Sequence, residues 1–191
     1  MSGEPTWRLF VALPIPDHVR VLGQAALAPA RDAGADLTWT RPEGWHLTLA
    51  FLGNVPENRV PEVEAAVGGA VRAHGTGPIG CEVTGADRFD GRALFLSVAD
   101  DPRGAIAALG DAIQTTLAAA DLPVTSRPVR PHLTLARGGR RGARVTDEVV
   151  AAVAAVAARW EADEVNLVRS HLGDGPARYE PVATWGLTGR A

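Results

Sequence analysis

A chain of 191 residues, 46% hydrophobic and 21% charged, has enough apolar material for one packed unit or two small lobes. No run approaches the ~20 apolar residues of a membrane span. The first apolar stretch is too short and too Pro-bounded for a secretory signal, and the lone Cys81 excludes an internal disulfide and a Cys-rich zinc site, so a cytoplasmic protein is expected. The net charge of −3 argues against a large footprint on long nucleic acid, which usually demands a basic protein.

Trp7 to Ile15 reads as a buried strand, a short apolar run closed by prolines. Pro16-Asp17 opens an amphipathic helix with Val19, Leu22, Ala26 and Leu27 on one face. Leu37 to Trp39 is a short strand and Trp45 to Leu52 a firmer one. A helix follows Pro56 or Pro61, its face formed by Val60, Val63, Ala66, Val67 and Val71. Ile79 to Thr84 and Ala93 to Val98 pair as strands across a connection whose Asp90-Gly91 is a turn signal. Pro102 to Ala120 is a helix with Ile106, Leu109, Ile113 and Leu117 in period. His132 to Ala136 is a strand, Thr146 to Ala158 a helix, and Val165 to Val168 and Tyr179 to Leu187 the last strands. Helices alternate with strands that look hairpin-joined, which predicts an α+β fold.

The string HLTLA occurs twice, at His46 and at His132, and the repeat is wider than five letters. Arg41, Pro42, His46, Leu47, Thr48, Leu49 and Ala50 all recur 86 positions later. This predicts two similar lobes within one unit spanning residues 1–191, each a sheet with helices and each carrying one His-x-Thr. Successive strand side chains point to opposite faces, so His46 and Thr48 share one face and the leucines the other. Core packing explains the leucines. It does not explain a repeated imidazole and hydroxyl, each of which needs a partner when buried.

If the two polar faces meet, two imidazoles and two hydroxyls surround a small space. Paired histidines suit general acid–base work near neutrality, one neutral and one protonated, because an unperturbed imidazole titrates near ~6.5. In-line displacement at phosphorus needs a base at one apex, an acid at the other and hydrogen-bond donors around the equator. Two His-Thr pairs meet that need without a metal, and no oxygen-rich magnesium cage is recognisable. No G-x-S-x-G elbow and no P-loop is present, and zinc would need a carboxylate that only Glu43 offers near a motif.

These residues resemble the 2H phosphoesterase superfamily. The strings "WHLTLAFLGNV" and "RPHLTLAR", the opening "RLFVALPIP" and the closing "HLGDGPARYEPVATWGL" are similar to its RNA 2′,3′-cyclic phosphodiesterase branch, historically called 2′-5′ RNA ligases. The resemblance implies a bilobal fold, two antiparallel sheets with flanking helices around a central cleft. It implies metal-independent opening of a 2′,3′-cyclic phosphate on an RNA 3′ end to a 2′-phosphate, with 2′-5′ ligation in reverse and no cofactor. By the same resemblance His46 is the general acid, His132 the general base, Thr48 and Thr134 hold the non-bridging oxygens, and Arg137 adds charge to the phosphate site.

Strand parity groups Arg137 with Leu133 and Leu135, so it reaches a cleft only if the strand ends or twists near Ala136. Phe51, its equivalent in the first copy, has two open roles, stacking an RNA base or joining the core. Arg130 is a candidate for RNA phosphate, and Arg41 and Arg127 either line the cleft or cap loops. Arg140 to Arg144 belong to an acid-free basic segment that reads as a solvated loop or an anion-attracting one. His171 and Tyr179 are candidates for the cleft edge, whereas Trp39 and Trp185 read as core. Expected partners are RNA 3′ ends or short cyclic-phosphate nucleotides, with no membrane and no obligate protein partner. Two rival readings are a cyclic phosphodiesterase of a small nucleotide such as ADP-ribose cyclic phosphate, and a noncatalytic RNA-binding module.

Overall fold

The structure, a computed structural model, describes residues 4–139, 142–173 and 177–189. In chain order its elements are β1 (Thr6–Pro14), α1 (Asp17–Ala26), α2 (Ala28–Ala33), β2 (Thr38–Trp39), β3 (His46–Pro56), α3 (Val60–His74), β4 (Ile79–Phe89) and β5 (Ala93–Asp101). There follow α4 (Ala105–Ala119), β6 (His132–Arg137), α5 (Asp147–Val153), β7 (Arg159–Ala162), β8 (Glu164–His171) and β9 (Arg178–Gly186). No described helix is long and apolar enough to cross a membrane.

Every strand pairing is antiparallel. The strand path is β7-β4-β5-β6-β3-β1-β8-β9, with β2 on β6. The two expected sheets therefore share a seam. A run built on β4, β5, β6 and β7 meets a run built on β1, β3, β8 and β9 at one residue pair, Leu47 with Leu133. Those leucines are fully buried and join Leu49 and Leu135 in a core with Ile106, Leu109, Ile113 and Leu117 of α4. Helices α3 and α4 pack on each other, and α4 lies along β3. The apolar face of the HLTLA strands is thus held by helix burial, each large aliphatic side chain being worth roughly 1.5–3 kcal/mol.

Several elements depart from expectation for local reasons. The first helix splits after Ala26, and Leu22 (57% exposed) and Ala26 face solvent; Val19 and Leu27 are buried as expected, joined by Gly23, where Trp45 leaves no room for a Cβ. The hairpin strands run on to Phe89 and from Ala93, so the connection shrinks to Asp90-Gly91-Arg92, with positive φ at Asp90 and Gly91 (49° and 65°), as a tight hairpin favours. The helix expected from Thr146 to Ala158 stops at Val153, and Arg159–Ala162 pairs with β4 as an edge strand. Thr146 caps that helix, accepting from the Val149 N–H at 3.3 Å.

Candidate active site

The antiparallel pairing of Leu47 with Leu133 fixes the arrangement of the polar face. One step to either side sets His46 across from Thr134 and Thr48 across from His132. The histidines therefore occupy opposite corners of one patch and the threonines the other two. All four residues line a single cleft of about 620 Å³, together with Phe51 and Arg137.

Both motifs carry the same backbone irregularity. In β3, Val11 pairs with Ala50 and Ala12 with Thr48, leaving Leu49 as an extra residue. In β6, Leu94 pairs with Ala136 and Phe95 with Thr134, leaving Leu135 as the extra one. A β-bulge shifts the alternation of faces by one residue. Ala50 and Ala136 consequently join the leucines in the core, at 2% and 0% exposure, while Phe51 and Arg137 turn out to the cleft. This resolves the parity conflict at Arg137. Phe51, at 47% exposure, takes the cleft rather than the core. A sequence signal for the bulge exists: the Leu-Ala doublet breaks apolar alternation at the same place in both copies.

Each imidazole is anchored alike. His46 Nδ1 lies 2.8 Å from the Gly44 carbonyl oxygen, and His132 Nδ1 lies 2.6 Å from the Arg130 carbonyl oxygen. A carbonyl only accepts, so Nδ1 carries the proton in both rings and Nε2 is left for chemistry. Aromatic rings wall each histidine. His46 packs between Phe10 (centroids 4.6 Å) and the edge of Tyr179 (5.3 Å), and His132 against Phe89 (5.1 Å) and Phe95 (5.4 Å).

Burial in these walls is the largest influence on both titrations. It pushes His46 down to about 4, opposed by the Gly44 carbonyl and reinforced by the charges of His132 and Arg137. His132 is also lowered, again chiefly by burial, with the Arg130 carbonyl opposing and Arg137 and Arg130 reinforcing. Both imidazoles are therefore held below the ordinary histidine value by their surroundings in the free protein.

The cleft also gathers Arg8, Arg41 and Arg127, and among the described residues no Asp or Glu lines it. None of these three, nor Arg137, makes an ion pair among the described residues. Arg8 escaped the sequence reading because an arginine in an apolar strand carries no distinctive spacing. Tyr179 lines the cleft; His171 instead pairs with Glu180 at 2.7 Å. Trp39, expected in the core, shows a face to the cleft while its indole N–H donates to the Gly34 carbonyl at 3.0 Å. Arg130 does not line the cleft: its guanidinium stacks over Phe89 and Phe95, 5.3 and 5.2 Å from their centroids. Arg140 and Arg141 of the basic segment, and residues 174–176 of the closing string, lie outside the described residues. Among the described residues no group of three or more His, Cys, Asp or Glu could hold a metal ion.

The model of the 2′-5′ RNA ligase superfamily matches residues 24–174, which include both His-Thr pairs. The chain belongs to this superfamily. Among curated relatives, the RNA 2′,3′-cyclic phosphodiesterase of Geobacillus stearothermophilus is 27% identical over 94% of this chain, which spans 57% of that protein's length. The Escherichia coli (strain K12) protein of the same name is 26% identical over 95% of this chain and 97% of its own. The crystal structure of E. coli LigT complexed with 3′-AMP superposes with a TM-score of 0.75 at 23% identity, covering 96% of this chain and 99% of that one, a likeness of fold. In this chain a curled antiparallel sheet with flanking helices sets the two H-x-T strands edge to edge.

Proposed function

We propose that this chain hydrolyses the 2′,3′-cyclic phosphate at an RNA 3′ end to a 2′-phosphate, without a metal ion, acting as one domain whose two halves each contribute a His-Thr pair. The observation that carries the reading is the anchoring of both imidazoles by Nδ1, which leaves two matched Nε2 atoms at one cleft. In this scheme a water oxygen bonds to phosphorus as the bond to O3′ breaks. His132 Nε2 takes the proton of the water, and His46 Nε2 gives its proton to the departing O3′. Thr48, Thr134 and Arg137 hold the non-bridging oxygens. Ligation to a 2′–5′ bond is the same displacement with a 5′-hydroxyl in the place of water.

Four arginines exceed the single charge of one cyclic phosphate. They match an RNA strand with further phosphates, and Phe51 offers a stacking surface for a base. A cyclic mononucleotide is the weaker match. ADP-ribose cyclic phosphate, which carries a pyrophosphate, is the small-molecule rival. The test incubates the purified protein in EDTA with an oligonucleotide ending in a 2′,3′-cyclic phosphate, with a cyclic mononucleotide and with ADP-ribose cyclic phosphate. The expected result is an undiminished rate in chelator, a 2′-phosphate product and the highest kcat/KM on the oligonucleotide. A 3′-phosphate product, or activity lost in EDTA and restored by one metal, defeats the scheme; a preference for the ADP-ribose compound moves the substrate.

The lowered histidines set the pH dependence. The productive pair carries one proton, and both free-protein pKa values lie below 6.5. The kcat/KM profile reports the free enzyme, so it should peak on the acid side of 6.5 and fall as pH rises. An anionic phosphate between the rings favours the imidazolium, so the kcat profile should peak at higher pH than kcat/KM. A kcat/KM that climbs between pH 6 and 8 contradicts this.

A further inference from the structure

Along the seam β3 meets β6 at one residue pair and meets Thr125 at an isolated bridge, and a buried side chain stitches it further. Gln114, on α4, is 7% exposed and spends its amide on backbone of two other segments. Its Nε2 donates to the Leu49 carbonyl at 2.9 Å and to the Arg127 carbonyl at 3.0 Å, and its Oε1 accepts from the Arg127 N–H at 2.9 Å. The amide thus binds both the N–H and the C=O of Arg127, as a neighbouring strand would. Leu49 is the bulge residue that turns Phe51 outward. Gly110, one helical turn before Gln114, faces the same seam. A Cβ there would collide with the Val129 side chain and lie 3.2 Å from the Leu49 carbonyl oxygen. The segment gripped in this way is short and consequential. It begins at Thr125, whose N–H donates to the Phe51 carbonyl at 2.8 Å, includes Arg127 in the cleft lining, and ends on Arg130, whose carbonyl orients His132.

We propose that Gln114, with Gly110 making room beside it, is a positioning residue that holds the segment from Thr125 to Arg130 against the β3 bulge, so that Arg127 and His132 face the substrate phosphate. The structural alternative is that Gln114 merely satisfies buried backbone groups and stabilises the fold. The two differ in what they predict for His132, because His46 takes its anchor from Gly44, in a loop Gln114 does not touch.

The proposal rests on the catalytic reading of His132, so the test has one readout that needs no turnover. Gln114→Met keeps the size and unbranched shape but removes all three hydrogen bonds. In this variant kcat on a cyclic-phosphate oligonucleotide should fall roughly 10–100-fold, the scale of a misplacement of about 1 Å. In NMR titrations the His132 imidazole should titrate closer to its ordinary value than in the wild type, while the His46 titration holds. Gln114→Glu, which keeps the acceptor for the Arg127 N–H but sets a carboxylate oxygen against the Leu49 and Arg127 carbonyls, should likewise lower kcat and shift the His132 titration. A variant that melts lower but keeps wild-type kcat and a wild-type His132 titration overturns the proposal. If Gln114→Met does not fold, wild-type values of both readouts in Gln114→Glu overturn it. A shifted His132 titration with unchanged turnover would preserve the positioning claim and count against the role assigned to His132.

Discussion

Replacing either His46 or His132 with alanine is expected to lower kcat on a cyclic-phosphate RNA end by about 10²–10⁴-fold, the range for loss of one general acid or base. The double replacement should be far less than multiplicatively worse, because losing one partner already breaks the paired proton transfer. The folds should survive. Each ring makes one backbone hydrogen bond, whereas the core contacts of these strands belong to Leu47, Leu49, Leu133 and Leu135. Single-turnover rates, with circular dichroism to confirm folding, provide the check. Near-wild-type turnover in either single variant would rule out the two-histidine scheme. Thr48→Val and Thr134→Val should lose less, since each removes one neutral hydrogen bond.

Arg137→Ala is expected to lower kcat by about 10²–10³-fold, the scale measured when one donor to a developing anionic centre is removed. It also carries an independent signature. The Arg137 charge lowers the pKa of both His46 and His132, so its removal should move the kcat/KM optimum to higher pH. Arg137→Lys should keep the direction of the wild-type pH profile while recovering only part of the rate, because an ammonium does not reproduce the planar fork of a guanidinium. An Arg137→Ala variant with full turnover and an unmoved optimum would show that the bulge points this side chain at solvent rather than at substrate.

The bulge also shows how far a local pattern reaches. Parity along β6 correctly placed His132 and Thr134 on one face, then failed at Arg137. Whether a strand alternates cleanly or accommodates an extra residue is decided by hydrogen bonds to its neighbours, here β1 for β3 and β5 for β6. The same limit hid the aromatic walls. Phe10, Phe89, Phe95 and Tyr179 come from four strands scattered along the chain, and no spacing links them to the histidines they desolvate. Gln114 gave no signal at all, since one glutamine on a helix of correct apolar period looks solvated until the partner backbone is in place.

The amino-acid sequence by itself determined the identity of the four polar side chains, their shared faces, the apolar faces that oppose them and the superfamily those motifs resemble. The faces depend on residues within a few positions of one another, because the two-residue period of a strand is a local property, and the resemblance needs only the motifs and their spacing along the chain. Tertiary structure alone decided that the two sheets share a seam at Leu47 and Leu133, that Phe51 and Arg137 turn into the cleft and that burial lowers both imidazole pKa values. Those outcomes depend on which distant segments lie alongside, because strand pairing, bulge placement and desolvation are all set by neighbours in space rather than along the chain.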